Sequence, residues 1–174
     1  MDPLYSDGLK RYQDKLDRAQ DFIKRYNLQK PEEIRDAAIR FCLSNTDVSA
    51  VCILAKTYAE LEEHLRLSGT RLSSGEQVKL NAYREGCGEL YCRHACGACE
   101  PSCPQGVPVN TILRYHHYFA AQGREREAME LYGRIPGVKA DACRDCAAPC
   151  EKACPHGVPT QGMLLVADSR LALP

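Results

Sequence analysis

Two stretches decide how this chain folds: CRHACGACEPSCPQGVP at residues 92–108 and CRDCAAPCEKACPHGVP at residues 143–159. Side by side they form an internal repeat, in which Cys103-Pro104-Gln105-Gly106-Val107-Pro108 answers to Cys154-Pro155-His156-Gly157-Val158-Pro159. Each copy ends a run of four cysteines and leads into an apolar-periodic segment. After the first copy the apolar positions are Ile112, Leu113, Tyr115 and Phe119; after the second they are Met163, Leu164, Ala167 and Leu171. That spacing predicts helices. Residues 124–133 (REREAMELYG) read as one more helix, ended by Gly133. No strand pattern lies between the repeats, so the second half is expected to be helical.

The cysteine spacing carries the chemistry. The first run is Cys92-x3-Cys96-x2-Cys99-x3-Cys103-Pro104 and the second is Cys143-x2-Cys146-x3-Cys150-x3-Cys154-Pro155. Both resemble the bacterial ferredoxin run, each with one extra residue in one gap. Three thiolates on a tight turn reach three corners of one cubane, and a fourth, set before a proline, turns away to the neighbouring one. The expectation is two 4Fe–4S clusters, the first on Cys92, Cys96, Cys99 and Cys154, the second on Cys143, Cys146, Cys150 and Cys103. Cys87, five residues before Cys92, is an alternative ligand in its place. The rival metal is zinc in two four-cysteine sites, although zinc knuckles usually pair two C-x2-C units across a longer loop.

Other residues near the motifs read more blandly. His94 and His156 are expected beside the cysteines without ligating, since every corner already has a thiolate. His116 and His117, with Tyr115, Tyr118 and Phe119, read as helix packing. Cys42 and Cys52 stand apart and read as small hydrophobes on an apolar helix face and in a buried strand.

The first half is organised differently. Residues 7–27 carry Leu9, Tyr12, Leu16, Ala19 and Ile23 at helical spacing, with Asn27 as a stop. A second helix is expected from Pro31 to about Leu43, with Glu32 and Glu33 at the positive end of its dipole. Residues 48–55 (VSAVCILA) are short, apolar and β-branched, which reads as a strand buried on both faces. Thr57 with Glu60, and Ser73 with Glu76, form capping boxes that open two further helices. A single buried-type strand cannot make a sheet, so residues 48–55 are expected to pair with another chain or a second copy.

Net charge is zero, from 23 basic and 23 acidic residues. There is no basic stripe interleaved with aromatics, so neither nucleic acid nor an anionic membrane is an expected partner. The first residues have no signal-peptide core and no stretch is long enough to span a bilayer. The expected location is the cytoplasm, where eleven cysteines are more naturally metal ligands than disulfides. Nine of them fall within residues 87–154, which divides the chain into an incomplete α/β docking segment over residues 1–85 and a cysteine-rich domain over residues 86–174.

Two stretches resemble a known family. Residues 38–65 (AIRFCLSNTDVSAVCILAKTYAELEEHL) look like the last helix–strand–helix of an aldo/keto reductase barrel, and residues 91–161 look like the C-terminal ferredoxin domain that some bacterial aldo/keto reductase-like proteins carry. The resemblance implies a mainly α fold: a barrel remnant followed by an α-helical ferredoxin domain with two clusters. The family's catalytic tyrosine, lysine, aspartate and histidine have no counterpart here, so no catalytic residue is implied and the chain is at most a redox subunit. The positions matching the family's adenosine-phosphate site are Lys56, Thr57, Glu63 and His64, the last departing from the family's usual Asn. The expected function is electron transfer through two clusters to or from a protein redox partner. The alternatives are a subunit of an aldo/keto reductase-like oxidoreductase, active only when a barrel-containing chain completes it, and a structural zinc interaction module.

Overall fold

The structure, a computed structural model, describes residues 3–173. Its described residues form eight α-helices joined by loops and short 3-10 turns: α1 (Pro3–Arg25), α2 (Pro31–Leu43), α3 (Tyr58–Leu65), α4 (Ser74–Cys87), α5 (Val109–Gln122), α6 (Glu125–Gly133), α7 (Pro149–Ala153) and α8 (Thr160–Leu171). They divide into two compact units. The larger comprises Met1–Asp17 and Gly88–Pro174, and the smaller comprises Arg18–Cys87. Residues 1–17 thus join the cysteine-rich part of the chain.

The mainly helical expectation holds, and the strand does not. Among the described residues there is no β-strand, and residues 48–55 run without regular structure. The helix–strand–helix barrel remnant is therefore corrected to helix–loop–helix. The physical reason lies in what a strand is. Apolar, β-branched residues favour the extended state, but a ladder requires a second strand to receive its N–H and C=O groups. The described residues offer none. The backbone of Val48 instead donates to Asn45 O at 3.1 Å, closing the turn after α2.

The helix boundaries follow local chemistry. α1 stops where Asn27 adopts a left-handed φ of 52°, and Leu28 N returns to Ile23 O at 2.9 Å. α2 opens on Pro31 with Glu32 and Glu33 in its first turn. Both capping boxes form. Glu60 N donates to Thr57 Oγ1 at 3.2 Å while Glu60 Oε2 accepts from Lys56 N at 2.6 Å. Glu76 N donates to Ser73 Oγ at 3.2 Å and Glu76 Oε2 accepts from Ser73 N at 2.9 Å.

The smaller unit has a thin core: Ala19, Leu28, Ala37, Ile39, Leu67 and Ala82 are its buried apolar residues, and three of them are alanines. Ion pairs tie its helices together. Arg40 meets Glu76 at 2.5 Å, Lys79 meets Glu33 at 2.5 Å, and Arg35 meets Glu63 at 3.1 Å. Meanwhile Phe41, Leu54, Tyr58 and Leu65 are exposed, Leu54 by 78% and Tyr58 by 88%.

The larger unit carries the main core. Val107, Val109, Ile112, Leu113, Tyr132, Val158, Leu164, Leu165 and Leu171 are all buried in it, with Leu9 and Tyr12 of α1 packed alongside. α5 packs on α6 and α8, and α8 on α6. Where α1 meets α8, both helices present glycine. A Cβ on Gly162 would strike the carbonyl of Gly8 and the Cβ of Tyr12, and a Cβ on Gly8 would strike Gln161. Only glycine lets the two backbones come this close.

Candidate functional site

The eight motif cysteines all lie in the larger unit, in two loops that each run into the start of a helix. In the first, Ala95 (φ 58°) and Gly97 (φ 59°) take left-handed conformations, which curl the chain tightly between Cys92 and Cys99. Pro108 and Pro159 precede α5 and α8 at equivalent positions, and Val107 and Val158 anchor the two turns at 1% exposure each. Gly106 (φ 67°) and Gly157 (φ 62°) complete the two Cys-Pro-x-Gly-Val-Pro turns.

The fold brings cysteines from both copies together. Cys92, Cys96, Cys99 and Cys154 line one small enclosed pocket, with Asn110, His156, Val158 and Thr160 in its wall. Cys103 and Cys146 lie close enough to Cys143 and Cys150 to raise both of those thiols. Cys99 and Cys150 are near neighbours, so the two sets adjoin.

No cysteine is in a disulfide. Burial pushes the thiols up: Cys99 to about 12, with Cys150, Cys154 and Cys92 adding repulsion, and Cys143 to about 12, with Cys150, Cys103 and Cys146 adding theirs. Cys92 is raised mainly by burial, opposed by a hydrogen bond from Asn110. Cys150 is raised by burial, opposed by its contact with the Thr160 hydroxyl at 3.2 Å. At about 12, Cys99 and Cys143 are neutral thiols, the form that neither attacks nor ligates well.

This geometry overturns the iron–sulfur assignment. Among the described residues, no group of three or more His, Cys, Asp or Glu side chains is placed to hold a metal ion. Two 4Fe–4S clusters, electron transfer through them and a ferredoxin domain are corrected on that finding, and the four-cysteine zinc module falls with them. Sequence spacing says which thiols share a loop; it does not say that their sulfurs converge. The aldo/keto reductase-like reading is corrected as well, since the strand it required is absent.

The remaining candidates are placed as follows. Cys87 ends α4 in the smaller unit. Cys42 and Cys52, expected to be buried, are both exposed: one sits on the outer side of α2 and the other in the run that forms no strand. His94 Nδ1 accepts from Arg114 Nε at 2.8 Å, so its second nitrogen carries the proton. His156 lines the first thiol pocket. His116 is buried beside Arg170, and His117 meets the Tyr91 ring edge-on at 6.1 Å. Of the residues matched to a phosphate site, Thr57 caps α3 and Glu63 pairs with Arg35 at 3.1 Å. His64 lines a shallow apolar groove with Ile39, Val51 and Leu65.

Two residues that spacing did not single out organise the loops. Asn110 and Gln161 each stand second in their helix, seven residues after Cys103 and Cys154. Asn110 Nδ2 donates to Cys92 Sγ at 3.3 Å and to Arg93 O at 2.7 Å, while its Oδ1 accepts from Ala95 N at 3.0 Å. Gln161 Nε2 donates to Cys143 O at 2.8 Å and to Cys146 O at 2.7 Å. Their shared offset from Cys-Pro was the signal available in the sequence. Within the described residues, no helix is long and apolar enough to cross a membrane. No protein-family model, no curated protein and no solved structure matches this chain.

Proposed function

We propose that this chain is a partner-docking subunit: the apolar run at residues 51–55, which has no ladder partner among the described residues, receives a protein partner or a second copy of this chain.

The observation that carries this reading lies in the smaller unit. Val51, Ile53 and Leu54 belong to an apolar run with no ladder partner, and Phe41, Tyr58 and Leu65 extend the exposed surface. A run of this kind adds as a strand to the edge of a partner's sheet, main-chain hydrogen bonds supplying the affinity. Chain isolated natively from its own cells is expected to carry a stoichiometric protein partner or a second copy, and the double change Ile53→Asp, Leu54→Asp to release it. A strictly monomeric chain whose amides at residues 51–55 exchange freely under every condition argues against docking.

A further inference from the structure

We infer that Asn110 and Gln161 are equivalent positioning residues, each the fastener that fixes one cysteine loop against the helix that follows it. The equivalence extends beyond the two amides. Glu100 follows Cys99 and Glu151 follows Cys150. Glu100 Oε1 accepts from Asn110 N at 2.8 Å, and Glu151 Oε1 accepts from Gln161 N at 2.9 Å, in both cases across ten residues. Each carboxylate satisfies a first-turn amide that the helix itself leaves unpaired, in place of a side-chain cap at Pro108 or Pro159. The side-chain amide of the same residue then reaches back to the loop. Loop, carboxylate and amide close a ring in each copy.

The two rings are finished differently. Asn110 spends its carbonyl on its own loop, through Ala95 N, and one of its N–H groups on the sulfur of Cys92. Gln161 touches backbone carbonyls and no cysteine sulfur within its ring. Its carbonyl accepts from Arg11 Nη2 at 2.8 Å, and Arg11 Nε reaches Glu151 Oε2 at 2.9 Å. Helix α1 therefore reaches the second ring through Arg11. Lys15 strengthens the attachment by donating to Gly157 O at 2.5 Å and to Glu89 Oε2 at 2.7 Å. Asn110 fastens the first loop from the helix that follows it, and Arg11 adds a strap from α1 to the second.

Asn110→Asp and Gln161→Glu test this, because each keeps the side chain's length and its acceptor while removing both donors. Asn110→Ala and Gln161→Ala, which favour the helix, serve as second variants should the acids fail to fold. Amide exchange by NMR reads the loops separately, at Cys96, whose N–H meets Arg93 O at 3.2 Å, for the first and at Cys146, whose N–H meets Cys143 O at 3.4 Å, for the second. Variants of Asn110 are expected to speed exchange at Cys96 about tenfold and leave Cys146 unchanged; variants of Gln161 do the reverse. Arg11→Ala should accelerate Cys146 only. Equal acceleration at both amides in every variant, or at neither, overturns the inference.

Discussion

Tyr132→Ala is expected to remove about 3–5 kcal/mol from the stability of the larger unit, read as a fall in the urea midpoint. Three costs fall on one residue. Tyr132 is among the largest side chains in the core and is 1% exposed. Its hydroxyl donates to Asp168 Oδ1 at 2.6 Å and accepts from Ala140 N at 3.3 Å, which joins α6, α8 and the turn before Cys143 at one atom. Burial, seconded by Asp168, raises its ionisation well above that of an ordinary phenol, so it is a dependable donor. Tyr132→Phe separates the terms. It keeps the ring and loses the hydroxyl, leaving Ala140 N unpaired and Asp168 with Arg144 at 3.6 Å as its recorded ion pair. That change should cost about 1–3 kcal/mol. If Tyr132→Phe matches the alanine variant, the hydrogen bonds dominate; if it is neutral, packing alone holds the junction.

The second large effect is a dependence on pH. His116 is 7% exposed, and burial, with help from the positive charges of Arg170 and His117, lowers it from 6.5 to about 4. The unfolded chain binds this proton near pH 6.5 and the folded chain only near 4. Between those values the unfolded state holds more protons, so stability is complete above pH 6.5 and declines as the pH falls toward 4. The loss reaches about 2 kcal/mol by pH 5 and about 3 kcal/mol by pH 4. Arg170 Nη1 stands 3.4 Å from His116 Nε2, which suits a neutral ring accepting there. Unfolding midpoints measured from pH 7 to pH 5, above most carboxylate titration, check it. His116→Gln should flatten the curve over this window. A curve as steep in the variant as in the parent assigns the slope to another group.

How much of this was legible depends on how local each feature is. Pro31 at a helix start and the capping pairs Thr57–Glu60 and Ser73–Glu76 involve neighbours in sequence, and all three formed. Residues 48–55 failed as a strand because strand formation is a pair property, and composition describes only one member of the pair. Cys52 went wrong with it, expected inside and found exposed. The iron–sulfur expectation failed at the step from spacing to convergence: the motif fixes the order of thiols along two loops, whereas a metal centre depends on where the sulfurs point once Asn110, Gln161 and the left-handed turns have set the backbone. Asn110 and Gln161 were legible in principle. Their common place after Cys-Pro is as clear in the sequence as the cysteines themselves, but an amide on a helix attracts no notice until its partners are known.

The Arg11 strap has a consequence for how the protein is made. Its partners Glu151 and Gln161 lie 140 and 150 residues downstream. A chain synthesised from its N-terminus at about 5–20 residues per second exposes Leu9 and Tyr12 for about 8–30 s before α8 leaves the ribosome to receive them. Within that interval the smaller unit is completed, while the first turns of α1 still lack α8. The second thiol loop is consequently secured only after the first, and a nascent chain stalled before Gln161 would carry its first loop fastened and its second one open.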